Sequence, residues 1–386
     1  MKNFSKVLTI VLAIAMLAVM MVGCGNTVTP APASSAPTAS AAPTTSAAPA
    51  ADATKPYIAV ISKGFQHQFW QTVMAGAKDA AAKYNVDMTF DGPPSESDIN
   101  IQVDMLNAAI AKNPKGIALA ALDTESVTQQ LTDLKAKGIP VVGFDSGVPN
   151  APAGTIAATA STNNENAGSL GADSMFTDPT FLAALKTGTT DKPVVIGVLS
   201  QDATSASIVG RSTGFINEMV KQCETVLPGQ VAVTGHDKFA KAATSGKAAV
   251  NILVLVPPST SATDMQNGAQ TLFGTNGIIA IFASNEGAVG GILAATTDGT
   301  DLDRASGKYK GIAVVGFDAG KSQKAAVKNN WFLGSVTQDP YMIGYLSIEL
   351  IVKSLNGETV SDTDTGCKFY TSTNMDQPDI AQLLYD

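Results

Sequence analysis

Histidine, cysteine and tryptophan are scarce in this 386-residue chain, with two, three and two copies respectively. The two histidines, His67 and His236, stand too far apart for a metal-ligand spacing such as His-x-x-x-His. There is no Gly-x-Ser-x-Gly elbow, and neither a P-loop nor a Gly-x-Gly-x-x-Gly turn follows a strand-like run. The chain therefore reads as a non-enzyme that needs no metal and no cofactor. Positive charge is also in short supply: 25 Lys and Arg face 33 Asp and Glu, a formal net charge of -8. Nucleic-acid binding needs basic stripes, so that class of partner is excluded. Cysteine makes no disulfide framework, because Cys223 and Cys367 are the only two beyond the first 24 residues. Export would permit a bridge, but with nothing to bring them together they read as free thiols.

What is present begins at the first residue. Lys2 and Lys6 form a short basic region, and Val7 to Val22 is an almost unbroken apolar run. At about 16 residues the run is shorter than the ~20 of a membrane-spanning helix. Met21-Val22-Gly23-Cys24 closes it with a small residue before a cysteine, the order of a secretory signal peptide. The cysteine at that point resembles a bacterial lipobox, which implies a lipoprotein signal peptide over 1–23 and diacylglycerol on Cys24. Loss of Lys2 and Lys6 takes the formal charge from -8 to about -10. The stretch 25–54 is nearly all Ala, Pro, Ser and Thr. It offers too little apolar surface to offset the entropy of ordering, and 24–54 reads as a tether.

The remaining body, about 330 residues, is too long for one small core and comfortable for two lobes. Strands are expected at Tyr57–Ile61, Val86–Phe90, Ile117–Leu122 and Ile139–Asp145, with helices over Phe69–Tyr84, Ile101–Ala111 and Thr124–Lys137 between them. The pattern restarts with a strand at Val194–Leu199 and a helix over Ser207–Cys223. Further strands are expected at Val231–Thr234, Ile278–Ala283, Ile312–Asp318 and Phe332–Thr337. Ala243–Pro258 is open between helix and strand. Apolar strands alternating with helical crossovers indicate an α/β chain of doubly wound parallel sheets.

One internal repeat is sharp. Val141-Val142-Gly143-Phe144-Asp145-Ser146-Gly147 is echoed by Val314-Val315-Gly316-Phe317-Asp318-Ala319-Gly320. Each is a buried strand ending in Asp and a Gly turn, at the same stage of its half. Open parallel sheets bind ligands beyond the carboxyl ends of their strands, so two facing lobes would place one Asp on each wall of a cleft.

From 56 to 386 these residues resemble the type I periplasmic sugar-binding proteins, of which ribose-binding protein is typical. The resemblance implies two similar lobes, 56–160 plus 339–365 and 161–338 plus 366–386, joined by a three-strand hinge near Ser161, Gln338 and Thr365. It implies a monomer that closes around a small neutral sugar or polyol and delivers it to an ABC transporter permease. The location implied is the outer face of the bacterial cytoplasmic membrane. The same fold also serves membrane sensors and chemoreceptors, and some relatives bind non-sugar polar solutes; both alternatives stay open. A repressor of the same core would carry an N-terminal helix-turn-helix where this chain has a leader.

Residue by residue, the family's loop after strand one corresponds to Gln66-His67-Gln68-Phe69-Trp70. Phe69 and Trp70 would cover the apolar face of a pyranose while polar groups take its hydroxyl rim. Asp145 and Asp318 match the family's hydroxyl-accepting Asp residues, Arg211 its helix Arg, Asn285 its strand-terminal Asn and Gln338 its hinge Gln. Phe239 would stack from the second lobe. His67 and Gln68 replace an Asn and a Pro, and Ser146 stands where the ribose binder has Arg. The loss of that guanidinium fork implies a ligand other than ribose.

Overall fold

The computed structural model describes residues 55–385. The expected signal peptide over 1–23, the lipidated Cys24 and the tether over 24–54 lie outside the described residues. Among the described residues no helix is long and apolar enough to cross a membrane.

Two sheets organise the body. The first contains β1 (Tyr57–Ile61), β2 (Asp87–Asp91), β3 (Gly116–Leu119), β4 (Val141–Phe144), β5 (Ala158–Ser161) and β12 (Thr363–Asp364). Its order is β12-β5-β4-β3-β1-β2, parallel throughout. The second contains β6 (Val194–Leu199), β7 (Val231–Thr234), β8 (Val250–Leu255), β9 (Ile278–Ala283), β10 (Ala313–Phe317), β11 (Gly334–Gln338) and β13 (Cys367–Tyr370). Its order is β13-β11-β10-β9-β6-β8-β7, and β13 pairs antiparallel with β11. Central strands such as β6, Val-Val-Ile-Gly-Val-Leu, are buried at every position because helices cover both faces. Edge strand β2 is instead bounded by exposed Asp87 and Asp91, charges that discourage further pairing.

The ambiguous stretch resolves as strand β8, whose side chains alternate between buried and half-buried. The residues before it form a turn, since β-branched Val250, Ile252 and Val254 face the core on a period of two. The third helix starts at Thr128, four residues later than expected. Asp123 holds the intervening turn by accepting from the N–H groups of Glu125 and Ser126 at 3.0 and 2.7 Å.

The helices among the described residues are α1 (Gln68–Tyr84), α2 (Ile99–Ala111), α3 (Thr128–Ala136), α4 (Asn164–Met175), α5 (Pro179–Leu185), α6 (Ala206–Val226), α7 (Ala262–Phe273), α8 (Glu286–Ala295), α9 (Lys321–Lys328), α10 (Pro340–Leu355) and the short α11 (Pro378–Ala381). Two helix pairs set the layer geometry: α1 on α10 and α4 on α6. Glycines permit both approaches. A Cβ on Gly76 would lie 1.9 Å from the Tyr341 carbonyl oxygen, and one on Gly344 1.9 Å from that of Val73. Likewise Gly168 and Gly214 face the carbonyls of Arg211 and Glu165 at 2.1 and 1.9 Å. No side chain fits at such separations, so the glycine pairs fix where α1 and α6 sit. Those two helices carry cavity residues.

Among the described residues the chain passes between the sheets three times. It leaves β5 for α4, leaves β11 for α10, and runs from β12 to β13 through residues 365–366.

Candidate functional site

Beyond the carboxyl ends of the parallel strands lies a small cavity. Residues following strands of both sheets line it: Lys63, Glu96 and Asp145 from the first, Arg211, Asn285 and Asp318 from the second. His67, Phe69, Trp70, Ile208 and Gln338 complete the wall.

The two strand-terminal aspartates are built alike. Asp145 and Asp318 both have left-handed backbones, with φ of 52° and 78°, a conformation Asp tolerates better than most residues. The hydroxyl of Ser161, on the neighbouring strand, donates to the Asp145 carbonyl at 2.8 Å. Ser335, also on the neighbouring strand, donates to the Asp318 carbonyl at 3.0 Å. Each strand end is thereby turned so that its carboxylate enters the cavity wall. Asp318 accepts from Gln338 Nε2 at 2.7 Å and from the Glu286 N–H at 2.9 Å. Arg211 lies between the aspartates, with Nη2 3.7 Å from Asp145 and Nη1 3.7 Å from Asp318. Its guanidinium rests 4.0 Å from the centre of the Phe317 ring and donates through Nε to Asn164 at 2.9 Å. Packing and that bond hold it still.

A second charged group faces these. Lys63 is buried, with Nζ 3.4 Å from Asp145 and 3.9 Å from Glu96. It donates across the cleft to Ser207 Oγ at 3.0 Å. Glu96 accepts from Trp70 Nε1 at 2.7 Å and from Gln201 Nε2 at 2.9 Å. Gln201 in turn accepts from Asn285 at 2.6 Å, so one polar chain runs from Trp70 through Glu96 and Gln201 to Asn285. Trp70 meets Phe69 and Phe144 edge-on at 5.0 and 6.3 Å, which fixes the ring beside Lys63.

Ionisation follows from these neighbours. Burial works against charge on Lys63, but Asp145, Glu96 and Asp202 outweigh it and raise the pKa of the amine. Burial likewise opposes ionisation of Glu96, and Lys63, His67 and the bonds from Trp70 and Gln201 prevail, lowering its pKa. Asp145 goes the other way: burial raises its pKa, Lys63 and Arg211 recover only part, and Glu96 and Asp318 add to the rise.

Three buried polar atoms of the cavity residues have no hydrogen-bond partner among the described residues: His67 Nε2, Asp145 Oδ2 and Gln338 Oε1. Buried polar groups are normally satisfied. With the spare N–H groups of Lys63 and Arg211 they form a mixed set of donors and acceptors around an apolar floor of Trp70, Phe69 and Ile208. A hydroxyl both donates and accepts, so this wall suits a compact molecule with a hydroxylated rim and an apolar face.

Of the residues named from sequence, His67, Phe69, Trp70, Asp145, Arg211, Asn285, Asp318 and Gln338 come together here. Ser146 and Phe239 do not line the cavity. Ser146 is fully buried behind the wall, its Oγ accepting from the Ser207 N–H at 3.2 Å. Phe239 sits in the loop after β7, half-buried against the core and 5.7 Å from His236. Lys63, Glu96, Gln201 and Ile208 were not anticipated. A signal for two of them existed: Ile61-Ser62-Lys63 after β1 and Leu199-Ser200-Gln201 after β6 occupy equivalent places in the two halves.

The periplasmic binding protein domain matches residues 58–359, most of the chain. This chain belongs to that family. It is 25% identical over 316 residues to the D-allose-binding periplasmic protein of Escherichia coli, covering 81% of this chain and 88% of that protein. A solved ABC transporter, LacI family transcriptional regulator from Brachyspira murdochii is 38% identical, with a TM-score of 0.69 over 86% of this chain and 99% of that one. An ABC transporter solute-binding protein from Agrobacterium vitis, solved with bound D-fucose, is 25% identical. Its TM-score is 0.69, over 85% of this chain and 100% of that one. Another, from Agrobacterium radiobacter in complex with D-arabinose, is also 25% identical, with a TM-score of 0.67 over 86% and 99%. As a member of this family of binding proteins the chain works outside the cytoplasm.

Proposed function

We propose that this protein captures a neutral monosaccharide or polyol by closing two lobes around it, and hands it unchanged to an ABC importer. The observation that carries the reading is the wall itself. Two buried cations and three carboxylates, Lys63 and Arg211 against Glu96, Asp145 and Asp318, surround a Trp-lined floor with unspent hydrogen-bonding atoms. The excess of carboxylates would repel an anion, whereas hydroxyls satisfy both donors and acceptors. The carboxylates are engaged with Lys63, Arg211 and amides, an arrangement that favours holding over acid–base turnover. The sugars named for the relatives, D-allose, D-fucose and D-arabinose, are of this class.

The binding residues on this reading are His67, Phe69, Trp70, Asp145, Arg211, Asn285, Asp318 and Gln338, joined by Lys63 and Glu96. The lobes are 56–160 plus 339–365 and 161–338 plus 366–386, and they bend about the three crossings near Ser161, Gln338 and Thr365. Hinge closure of this kind selects the bound form through contacts made by both walls. The protein acts as a monomer anchored through a lipid on Cys24, with 24–54 as tether, at the outer face of the cytoplasmic membrane.

A thermal-shift screen of the chain against a sugar and polyol panel that includes D-allose, D-fucose and D-arabinose tests this. A true ligand raises the midpoint by mass action. A panel that leaves the midpoint unmoved, alongside an anionic solute that raises it, would overturn the reading.

A further inference from the structure

Helix α1 begins without a cap of its own. Its N-cap residue, His67, makes no side-chain bond to the first turn, which leaves that turn's N–H groups to be met from elsewhere. They are met from the opposite sheet's lobe: Glu286 accepts from the N–H of Gln68 at 3.3 Å and of Phe69 at 3.4 Å. Helix α9 has the complementary need. Its N-cap is Gly320, which has no side chain to offer, and its first N–H, that of Lys321, donates to Gln68 Oε1 at 2.8 Å. Each helix is thus capped by a residue more than 200 positions away in the chain.

We propose that Glu286 and Gln68 form a closure latch, a pair of reciprocal helix caps between the lobes that populates the closed form without touching the solute. Neither residue lines the cavity. The proposal rests on the reading of lobe closure given above. Gln68 takes part in both caps, as donor to Glu286 and as acceptor for Lys321, so opening breaks the two together. A carboxylate at a helix N-terminus is also favoured by the helix dipole. Bond lengths of 3.3 and 3.4 Å are long for charge-assisted bonds, which makes this a bias and not a lock. Glu286 further serves as a positioning residue: its N–H holds Asp318 while its carboxylate holds the start of α1, which carries Phe69 and Trp70.

The test compares the full chain with Glu286→Ala, Glu286→Gln and Gln68→Ala by small-angle scattering, without sugar and with D-allose, D-fucose or D-arabinose. Loss of a cap shifts an equilibrium about five- to tenfold. Both alanine variants should move the closed-to-open ratio by that factor toward open, with Glu286→Gln between them and wild type because its amide oxygen keeps one acceptor. A merely structural role would lower the unfolding midpoint and leave the closed fraction of the folded protein where it was. If Glu286→Ala does not fold, Gln68→Ala carries the test. Unchanged closed fractions, or a wild type wholly open without sugar, overturn the latch. A wild type that responds to no sugar overturns the ligand reading instead, and the sugar-free comparison still decides the latch.

Discussion

Asp145 and Asp318 end their strands in the same left-handed backbone, each carbonyl fastened by a serine hydroxyl from the neighbouring strand. Arg211 stands between the two carboxylates, 3.7 Å from each. The duplicated motif of the sequence is therefore a duplicated piece of geometry, and one cation ties the copies together across the cleft.

Removal of either partner of this arrangement should end sugar binding while the fold persists. Truncating one member of a buried charge pair costs about 2–5 kcal/mol of affinity, a loss of about thirtyfold or more. Titration calorimetry of Asp318→Ala and Arg211→Ala, with a sugar that binds wild type, measures it. Affinity within a fewfold of wild type in both would move the site elsewhere.

Lys63 makes a prediction about stability. It is the buried cation nearest both Glu96 and Asp145, and Lys63→Met leaves those carboxylates without it. Breaking a buried pair in this way destabilises by about 3–5 kcal/mol. Denaturant unfolding should show a midpoint lowered accordingly with an unchanged slope.

The same lysine has a pH signature. Its folded-state pKa is raised, burial being outweighed by Asp145 and Glu96. Its contribution is therefore full below the unfolded value of about 10.4 and is lost as pH rises through the folded one. The gap in stability between wild type and Lys63→Met should be constant from neutral pH to about 10 and narrow above it. A gap that is flat across the alkaline range would contradict the assigned partners.

How much of this could be read beforehand depended on where burial came from. Tyr57–Ile61, Val194–Leu199, Val231–Thr234 and Ile278–Ala283 are strands with the expected bounds, because each is an apolar, β-rich run marked off by turns. Strand β5, Ala-Thr-Ala-Ser, has no such run; its pairing is imposed by β4 and β12 on either side. Strands β12 and β13 escaped for the same reason. In the site, the strand-end aspartates announced themselves through a repeated motif, and Phe69 and Trp70 through the likeness of their loop to the family's. Lys63 and Glu96 were harder to see, since a lysine beside glycine and a glutamate among serines look like surface, and for Lys63 the only hint was its place matching that of Gln201 in the other half. Only the meeting of two lobes buries them, and no local pattern encodes that meeting.

The thiols offer a check on packing that needs no ligand. Cys223 is fully buried on α6, and burial pushes its pKa up to about 12. Cys367 is half-buried, and burial raises its pKa as well. Thiolate is the reactive form, so Cys223 should resist alkylation at neutral pH until the protein unfolds. Mass spectrometry after brief iodoacetamide treatment distinguishes the two sites, and rapid labelling of Cys223 in the folded state would contradict its placement.

Trp70 reports on the cavity from inside. The chain's other tryptophan, Trp331, follows α9, so Trp331→Phe leaves a single reporter. Ligand binding should change the emission of that variant, because a sugar would lie beside a ring already tied to Glu96 at 2.7 Å. An emission spectrum unmoved at saturation would remove Trp70 from the floor of the site.

The atoms without a hydrogen bond among the described residues, His67 Nε2, Asp145 Oδ2 and Gln338 Oε1, bear on fidelity. Asp145 Oδ2 keeps its ion pair with Lys63 at 3.4 Å, but shutting the cleft on a molecule that cannot hydrogen-bond would strand the other two, at about 1–3 kcal/mol for each. Taken together that is a discrimination of about thirtyfold or more, applied on the proposed reading before any transporter is consulted. A false delivery would thus be suppressed at the moment of closing, and the downstream machinery spared the work of proofreading.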